Sequence, residues 1–347
     1  MRTLLQRVRR APTWLRNRAL QPAIILCYHR VTVLERDPHL LAVTPTQFEE
    51  HLAAIREAGT PTTLRDLARA LRRGRSIRNA IVVTFDDGYA DNLHEAQPLL
   101  ERYDVPATVF VSTGQIGATL EYWWDALDQL MLGAHALPAT LPLAEGSLPL
   151  DVSPLAMLAI SDVTNPADVH RRQQQRMELM HKIRNRLLEM HPAEIPAIVR
   201  GLHDATQVTS ELRASHRCCS ADELRTLARG GLVEIGAHTV THPRLALLDT
   251  DAQTREMQDS RETLEALLEL PVTSVAYPFG RSDDINAETA VAARRAGFDA
   301  GCTLGAAPIP TSPIFTTNVD ALLLPRYAVH PIDGDGLAAR LRACMRT

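Results

Sequence analysis

Residues 80–89 read Ala-Ile-Val-Val-Thr-Phe-Asp-Asp-Gly-Tyr and join a short apolar run to two adjacent acidic residues. A run of this length, rich in β-branched residues, is typical of a strand that is buried on both faces in a parallel sheet. Asp86 and Asp87 follow at the carboxyl end of the run, and Gly88 permits a sharp turn away from it. Parallel βα barrels carry their active sites at this end of the strands, so the acidic pair marks a candidate site.

Six further apolar runs resemble this one, and helical patterns lie between most of them. Such alternation predicts an α/β fold of βα units around a parallel sheet, and seven strands are enough for a barrel. The predicted strands are 23–28, 80–85, 107–111, 232–236, 273–277, 299–303 and 321–324. The predicted helices are 46–58, 63–71, 90–102, 250–268, 286–296, 336–344 and a helix between the capping box at Ser220 and Gly230.

One long stretch after the third strand interrupts this alternation. It contains a Tyr-Trp-Trp sequence, a Pro- and Leu-rich connector at about 138–168 and a polar helical pattern at 169–190. Because no alternating strand pattern is present, we expect a mostly helical insertion. The expected division of the chain is a basic N-terminal arm at 1–19, a barrel at 20–112 and 231–347, and the insertion at 113–230.

The composition excludes several functional classes. The 347 residues are 45% hydrophobic and 22% charged, with a formal charge of −4, so no excess of basic charge favours nucleic acid as a partner. Lys182 is the single lysine, which argues against Schiff-base catalysis and against a phosphate loop ending in Gly-Lys-Ser/Thr. Five cysteines without a C-x-x-C pair favour free thiols in a reducing compartment.

The first 19 residues carry six arginines and no acidic residue, but no apolar stretch long enough for a secretion signal. We therefore expect a cytoplasmic protein. The arginines of the arm, with Trp14 and the leucines, would suit peripheral contact with an anionic membrane at its inner face. A solvated, frayed helix is the alternative, and the sequence does not decide between them.

A second candidate motif follows the fourth predicted strand. His238 and His242 are spaced i, i+4, so one helical turn after the strand would place both imidazoles on the same side. Two histidines and one carboxylate, each just past a barrel strand, would form a mononuclear metal site with open positions. A metal in such a site activates water and polarises a carbonyl, which favours hydrolysis of an amide or ester.

These motifs resemble those of a known family. Residues 84–88 (Thr-Phe-Asp-Asp-Gly), residues 238–243 (His-Thr-Val-Thr-His-Pro) and residues 277–280 (Tyr-Pro-Phe-Gly) are similar to landmarks of the polysaccharide deacetylases, the NodB-homology enzymes of carbohydrate esterase family 4. The resemblance implies a distorted (β/α)7 barrel. It also implies an N-acetylated sugar in a polysaccharide, oligosaccharide or glycolipid as substrate, with acetate and a free amine as products.

The resemblance also implies roles for individual residues. Asp87, His238 and His242 would bind a divalent metal, Zn2+ in first place with Co2+ and Ni2+ as alternatives. Asp86 would act as the general base. In addition to what the resemblance implies, we expect a backbone N–H, that of Tyr89, to stabilise the oxyanion. Further expected substrate contacts come from the third landmark and from the start of the insertion, at Tyr277, Pro278, Phe279, Trp123 and Trp124. The two tryptophans would either stack on a sugar ring or anchor the insertion.

One departure from the family pattern concerns an arginine. Much of the family has an arginine just ahead of the third landmark that orients the base, whereas Val275 and Ala276 precede that landmark in this chain. Arg326, in a Leu-Pro-Arg-Tyr sequence, is the expected replacement, with Arg281 as the second choice. A solvated surface arginine is the alternative at either position.

The other departure concerns the general acid. The usual C-terminal Leu-x-His is matched only inexactly by Ala-Val-His at 328–330. The sequence Cys-Tyr-His-Arg at 27–30 resembles a motif of the poly-N-acetylglucosamine deacetylase branch, in which a histidine on the first strand serves as the acid. We therefore expect His29 to protonate the leaving amine, ahead of His330. A histidine that is merely buried and hydrogen-bonded remains the alternative.

The resulting functional prediction is a metal-dependent N-deacetylase that acts on a lipid-linked or otherwise intracellular glycan. Because a metal and a base do not distinguish an ester from an amide, a carbohydrate O-acetyl esterase is an alternative. An inactive, metal-retaining glycan-binding protein is another, although the intact Asp86 argues against it. A 2-His-1-carboxylate iron oxygenase fits less well, because such a site has no use for a second adjacent aspartate.

Overall fold

The structure is a computed structural model. It describes residues 22–75, 77–133, 135–138, 140–141, 150–151, 165–311 and 319–345. The arm at 1–19 and most of the connector at 138–168 lie outside these residues, so membrane contact through the arm stays a prediction. The chain divides into two compact units, which we call the barrel unit (Met1–Gly117 with Cys218–Thr347) and the insertion unit (Ala118–Arg217).

Seven parallel strands form the wall of the barrel unit. They are β1 (Pro22–Tyr28), β2 (Ala80–Phe85), β3 (Ala107–Val111), β4 (Val233–Ala237), β5 (Ser274–Ala276), β6 (Ala300–Leu304) and β7 (Leu324–Ala328). Each strand pairs with the next one in the chain, and β7 pairs back with β1. This closure confirms the expected (β/α)7 barrel.

Helices follow most of the strands. In the barrel unit they are α1 (Pro45–Ala58), α2 (Leu64–Arg72), α3 (Gln97–Tyr103), α7 (Ala221–Arg229), α8 (Thr250–Leu268), α9 (Thr289–Arg295) and α10 (Gly334–Met345). In the insertion unit they are α4 (Trp123–Leu132), α5 (Pro166–Leu188) and α6 (Ile195–Thr206). Among the described residues, no helix has the length and apolar character that crossing a membrane requires.

Shorter elements complete the barrel unit. A π-helical segment at Asn92–Ala96 leads into α3, and short strands lie at Arg30–Val31, Ala42–Val43, Thr60–Pro61 and Ile309–Pro310. Thr60 pairs with Ala80, the first residue of β2, so this piece lies at the N-terminal end of the barrel.

Helix α2 closes that same end of the barrel. Its residues Leu64, Leu67 and Leu71 are buried and belong to the apolar cluster that fills the barrel, together with side chains such as Ile25 and Val82. A second cluster packs the outer face of the strands against the surrounding helices. The opposite end, where the strands finish, is therefore the end at which functional side chains can gather.

The last strand differs from the sequence prediction. The expected strand at 321–324 is observed at Leu324–Ala328, so it begins three residues later and ends four residues later, and it contains Pro325 and Arg326. An arginine inside a buried strand breaks the apolar pattern on which the prediction depended. The other six strands match their predicted positions to within one residue at each end.

The insertion unit has a core of its own. Apolar side chains from α4, α5 and α6 form one cluster, and Arg213 binds both Glu121 (2.6 Å) and Asp128 (2.9 Å). A short antiparallel pair, Thr140–Leu141 with Leu150–Asp151, was not expected from the sequence. Lys182 is exposed on α5.

The insertion unit, at 118–217, is narrower than the expected insertion of 113–230. Helix α7 belongs to the barrel unit instead, because its Leu224 and Leu227 are buried in the barrel unit's outer apolar cluster.

Candidate active site

The carboxyl end of β2 presents the acidic pair in a strained turn. Asp86 and Asp87 are both buried, and Asp87 (φ 72°) and Gly88 (φ 69°) adopt left-handed backbone conformations. A Cβ at position 88 would lie 3.3 Å from the Val111 side chain, so glycine fits both the backbone and the space. The turn sends the two adjacent carboxylates to different neighbours.

The two histidines after β4 are brought together by a loop, so the expectation of a helical turn is wrong. His238 and Thr239 follow β4 directly, and Thr239 (φ 65°) and His242 (φ 57°) are left-handed. The Thr239 hydroxyl accepts a hydrogen bond from the His242 backbone N–H at 3.1 Å. Glu256 on α8 accepts from the backbone N–H groups of residues 240 and 241, both at 2.9 Å. These hydrogen bonds fix the conformation of the loop, which the spacing of apolar residues in the sequence does not predict.

Asp87, His238 and His242 form a buried cluster whose ligand atoms all lie within 4.8 Å of one another. The Asp87 Oδ1 lies 3.6 Å from His238 Nε2 and 3.3 Å from His242 Nε2. Burial raises the pKa of the Asp87 carboxyl, but the two histidines outweigh it, so the net pKa is lowered. The carboxylate is therefore ionised at neutral pH.

The tautomer of His238 suits a metal ligand. Its Nδ1 lies 2.7 Å from the Ala276 carbonyl oxygen, to which it donates, so Nε2 carries the lone pair that faces Asp87. Burial lowers the pKa of His238 to about 4, which keeps the ring neutral at pH 7. A donor set of two imidazole nitrogens and one carboxylate fits a divalent transition metal.

Arg326 holds the second carboxylate. Its Nη1 and Nη2 donate to Asp86 Oδ1 (2.6 Å) and Oδ2 (2.7 Å), and Nη1 also donates to the Thr84 hydroxyl (3.1 Å). Burial tends to raise the pKa of Asp86, but the charge of Arg326 overcomes this and holds it well below its usual range. The structure thus brings the preferred arginine to Asp86, whereas the side chain of Arg281 is exposed.

The first strand contributes to the same site. Cys27 Sγ donates to Asp86 Oδ2 at 3.4 Å, and ligand atoms of Cys27, His29 and Asp86 lie within 4.8 Å of one another. Burial raises the pKa of the Cys27 thiol, so it stays protonated and donates. Asn92 Nδ2 donates to the His29 carbonyl oxygen at 2.9 Å and fixes the backbone of that residue.

His330 has a different environment. It is exposed, and its Nδ1 lies 3.4 Å from the Leu40 carbonyl oxygen. Of the two candidate acids, the structure groups His29 with the Asp86 carboxylate.

The third sequence landmark supports the histidines. Phe279 (φ 59°) packs the edge of its ring against His242, with ring centroids 4.8 Å apart. Pro278 is buried, and the fully buried Tyr277 donates its hydroxyl to the Leu322 carbonyl oxygen at 2.7 Å. The Tyr277 ring therefore has no surface for a substrate, and a contact through Phe279 or Pro278 stays a prediction.

Tyr89 is likewise fully buried, and Arg30 lies over its ring at 4.3 Å. The ring of Tyr89 is thus a structural support, and its backbone N–H as an oxyanion donor stays a prediction.

The aromatic residues at 122–124 belong to the insertion unit. Tyr122 stacks on Trp124 with ring centroids 4.3 Å apart, and Trp123 meets Trp124 edge-on at 5.4 Å. Stacking of Trp123 or Trp124 on a sugar stays a prediction.

Several supporting residues were missed by the sequence reasoning. Ser112 donates to the His238 carbonyl oxygen at 2.9 Å, Glu256 holds the histidine loop, and Cys27 and Asn92 hold the Asp86 side of the site. Cys27 and His29 are spaced i, i+2 on one face of a strand, as are Thr84 and Asp86, and this spacing was the available signal. The other contacts join distant parts of the chain.

Comparison with protein families identifies this arrangement. The family model described as polysaccharide deacetylase matches residues 73–138 and 199–301, which contain both the acidic pair and the two histidines. The chain belongs to the polysaccharide deacetylase family. This match confirms the expected family. His29 and Arg326 lie outside the matched segments.

A curated relative agrees with this family. The putative polysaccharide deacetylase YxkH of Bacillus subtilis (strain 168) is 29% identical over 106 residues, which cover 30% of this chain and 37% of that protein. The match thus spans little more than a third of the relative's length.

Two solved structures share the fold at lower identity. The Streptococcus pyogenes deacetylase PplD in complex with acetate has a TM-score of 0.54 and 20% identity, over 92% of this chain and 98% of that one. IcaB from Ammonifex degensii has a TM-score of 0.56 and 18% identity, over 92% and 97%.

Proposed function

We propose that this protein is a metal-dependent N-deacetylase that removes acetyl groups from an N-acetylated sugar in a glycan or glycolipid. The observation that supports it best is that the Asp86 carboxylate lies within a few ångströms of the cluster formed by Asp87, His238 and His242. Asp86, held at both oxygens by Arg326, lies 4.0 Å from His238 Nε2 in the His-His-Asp cluster. A base beside a metal-ligand cluster is the arrangement that amide hydrolysis requires.

Asp87, His238 and His242 would hold the metal, and we propose Zn2+ because neutral imidazole and carboxylate donors suit it. When bound, such a metal supplies Lewis-acid polarisation of the acetyl carbonyl and a lowered pKa for water. The Ala276 carbonyl fixes the His238 tautomer, and Phe279 fixes the ring of His242.

Asp86 would accept the proton from the attacking water. Arg326 keeps this carboxylate ionised at neutral pH and fixes both of its oxygens, so the base is oriented before substrate arrives. The Cys27 thiol, which donates to Oδ2, is the third donor to this carboxylate.

His29 would protonate the amine as it leaves. This role is supported by its position near Asp86 and by the Asn92 hydrogen bond that holds its backbone. An acid and a base on adjacent strands, β1 and β2, can then serve the two faces of one tetrahedral intermediate.

The acetate in the structure of PplD is the product that the proposed reaction releases. The test is therefore acetate release by metal-stripped protein reconstituted with Zn2+, Co2+ or Ni2+. A panel of N-acetylated oligosaccharides and glycolipids, tested in parallel with O-acetylated sugars, distinguishes hydrolysis of an amide from hydrolysis of an ester. Release from the O-acetylated sugars alone would identify an esterase and reject the N-deacetylase.

Variants divide the roles. Asp86→Asn should lower kcat about 10²- to 10⁴-fold, the usual effect of a general base, while metal content stays at one equivalent. Asp87→Asn should lose metal, and His29→Ala should lose far more activity than His330→Ala. Asp259→Asn, an exposed carboxylate on α8, is the matched control. Full activity and metal content in Asp87→Asn would show that the assigned cluster is wrong.

A further inference from the structure

The end of the barrel opposite the candidate active site carries a concentration of positive charge. Six arginines occur between residues 65 and 78, at positions 65, 69, 72, 73, 75 and 78. Helix α2 buries its leucines in the barrel, so Arg65, Arg69 and Arg72, spaced by four and three residues, share its outward face. Since β2 has six residues, this face lies about 20 Å from the Asp86 end.

Half of this charge is already neutralised. Arg65 pairs with Glu234 (3.1 Å), Arg72 with Asp299 (2.9 Å) and Arg69 more loosely with Asp66 (3.6 Å). Within the described part of the chain, no acidic side chain pairs with Arg73, Arg75 or Arg78, all of which are exposed.

The end of α2 fixes two of these unpaired arginines beside each other. Gly74 is left-handed (φ 61°), and the backbone N–H of Arg75 donates to the Ala70 carbonyl at 2.9 Å. This is the glycine-terminated helix cap that folds the chain back on the last turn. Arg73 and Arg75 flank this glycine, and both line a cavity at the end of α2.

The cavity has a volume of about 470 Å³, and its polar lining consists of Arg69, Arg73, Arg75, Thr62, Thr63 and the single carboxylate of Asp66. Asp66 pairs loosely with Arg69. The guanidinium groups of Arg73 and Arg75 are therefore the two charges around the cavity that repel each other without a carboxylate partner, and a bound anion would relieve that repulsion. The planar guanidinium donates two parallel hydrogen bonds to phosphate oxygens, which makes arginine clusters suited to phosphate groups. The Thr63 hydroxyl already accepts from the Asp66 N–H, so the arginines, and not the start of the helix, supply the donors.

We propose that this cavity binds a phosphate group, with Arg73 and Arg75 as its principal ligands and Arg69 as the third. The phosphate belongs to a free phosphate ester or to the headgroup of an anionic phospholipid. The second source is relevant because Pro22, the first residue of β1, pairs with Pro310, and Thr311 donates to the Ile77 carbonyl at 3.3 Å. Pro22 therefore lies at the same end of the barrel as the cavity.

The test is calorimetric titration of the full-length, metal-loaded protein with inorganic phosphate at low ionic strength, where screening is weak. Arg73→Gln/Arg75→Gln should bind phosphate at least tenfold more weakly than the wild type. Arg255→Gln/Arg340→Gln removes two exposed arginines elsewhere in the barrel unit and should bind as the wild type does. Phosphate at the metal site would be common to all three proteins, so the difference between the two variants reports the cavity.

Vesicle flotation distinguishes the two sources of phosphate. Phosphatidylglycerol vesicles that carry the wild type and the control variant, but not Arg73→Gln/Arg75→Gln, would identify the lipid headgroup. Weaker phosphate binding in that variant, with no difference in flotation, would identify a free phosphate ester. The proposal fails if the wild type does not bind phosphate, or if both variants bind it within twofold of each other. These outcomes do not depend on deacetylase activity.

Discussion

Four residues of the candidate site adopt backbone conformations that side chains rarely take. Asp87, Thr239, His242 and Phe279 are all left-handed, among ten such non-glycine residues in the described part of the chain. Each costs of the order of 1–3 kcal/mol and persists only where the surrounding contacts impose it. Here the Thr239 and Glu256 hydrogen bonds and the packing of Phe279 on His242 impose it. The site is thus held in place at the expense of local backbone energy.

Removal of Arg326 should lower the free energy of unfolding as well as the activity. Arg326→Met leaves the Asp86 carboxylate buried without its cation, and breaking a buried pair from one side costs about 3–5 kcal/mol. Urea unfolding would measure the loss, with Arg255→Met, an exposed arginine, as the control. In Arg326→Met/Asp86→Asn the loss should be smaller than the sum of the two single losses. Strict additivity, or a single variant as stable as the wild type, would contradict this account.

Sequence reasoning predicted most of these residues because chemistry concentrates at strand ends. The pair Asp86 and Asp87 and the histidines at 238 and 242 are recognisable from their order and spacing alone. Arg326 lies 240 positions from Asp86. It was predicted to orient Asp86 only because the arginine that the family has ahead of its third landmark is absent from this chain. The left-handed residues were not foreseen, because a backbone conformation fixed by Glu256 on a later helix has no local signal.

At the scale of elements, a buried histidine joins the helices that flank the first strand. His51 on α1 is fully buried, with Nε2 donating to the Ile332 carbonyl (2.9 Å) and Nδ1 accepting from the Tyr28 hydroxyl (3.2 Å). Burial lowers the pKa of His51, although Glu50 and Asp333 act in the opposite sense. The neutral ring therefore stabilises the contact between α1, the end of β1 and the segment before α10.

The stability of this junction should depend on pH. Because the folded-state pKa lies below about 6.5, its value in an unfolded chain, the unfolded state binds more protons at acid pH and the stabilisation falls as pH drops through that value. His51→Gln has no such titration. Its deficit in unfolding free energy relative to the wild type should shrink between pH 7.5 and pH 5.5 in urea titrations. A deficit that stays constant over this range would show that His51 does not titrate differently on folding.

The strands were easier to predict than the connections between them. Strand β2 matches its predicted bounds because both of its faces are apolar, whereas β7 was displaced because Pro325 and Arg326 interrupt the apolar run. In β7 the inward position is occupied by the charge of Arg326, whose hydrogen-bond partners lie on or just after two other strands: Thr84 and Asp86 at the end of β2, and Thr303 on β6. A pattern of hydrophobicity cannot contain that information.

At the scale of the whole molecule, the two units have separate apolar clusters. Leu202 is fully buried in the apolar cluster of the insertion unit. No residue of that cluster belongs to either apolar cluster of the barrel unit. Leu202→Ala should cost about 2–5 kcal/mol, as large-to-small changes in a core do. Amide hydrogen exchange should then rise in peptides from 165–217 but not in peptides from β1 to β4.

The matched control is Leu270→Ala, because Leu270 lies on the barrel unit and is half exposed. It should leave exchange unchanged throughout. If Leu202→Ala raised exchange equally in the barrel strands, the two units would unfold together, and the prediction that their cores are independently stable would be wrong.

The single lysine has a practical consequence for handling the protein. Lys182 is exposed on α5 of the insertion unit, and the barrel unit contains arginines but no lysine. Amine-reactive dyes and resins will therefore attach at this one side chain and at the terminal amine. A fluorophore or a surface can be coupled through the insertion unit without altering any residue of the candidate active site.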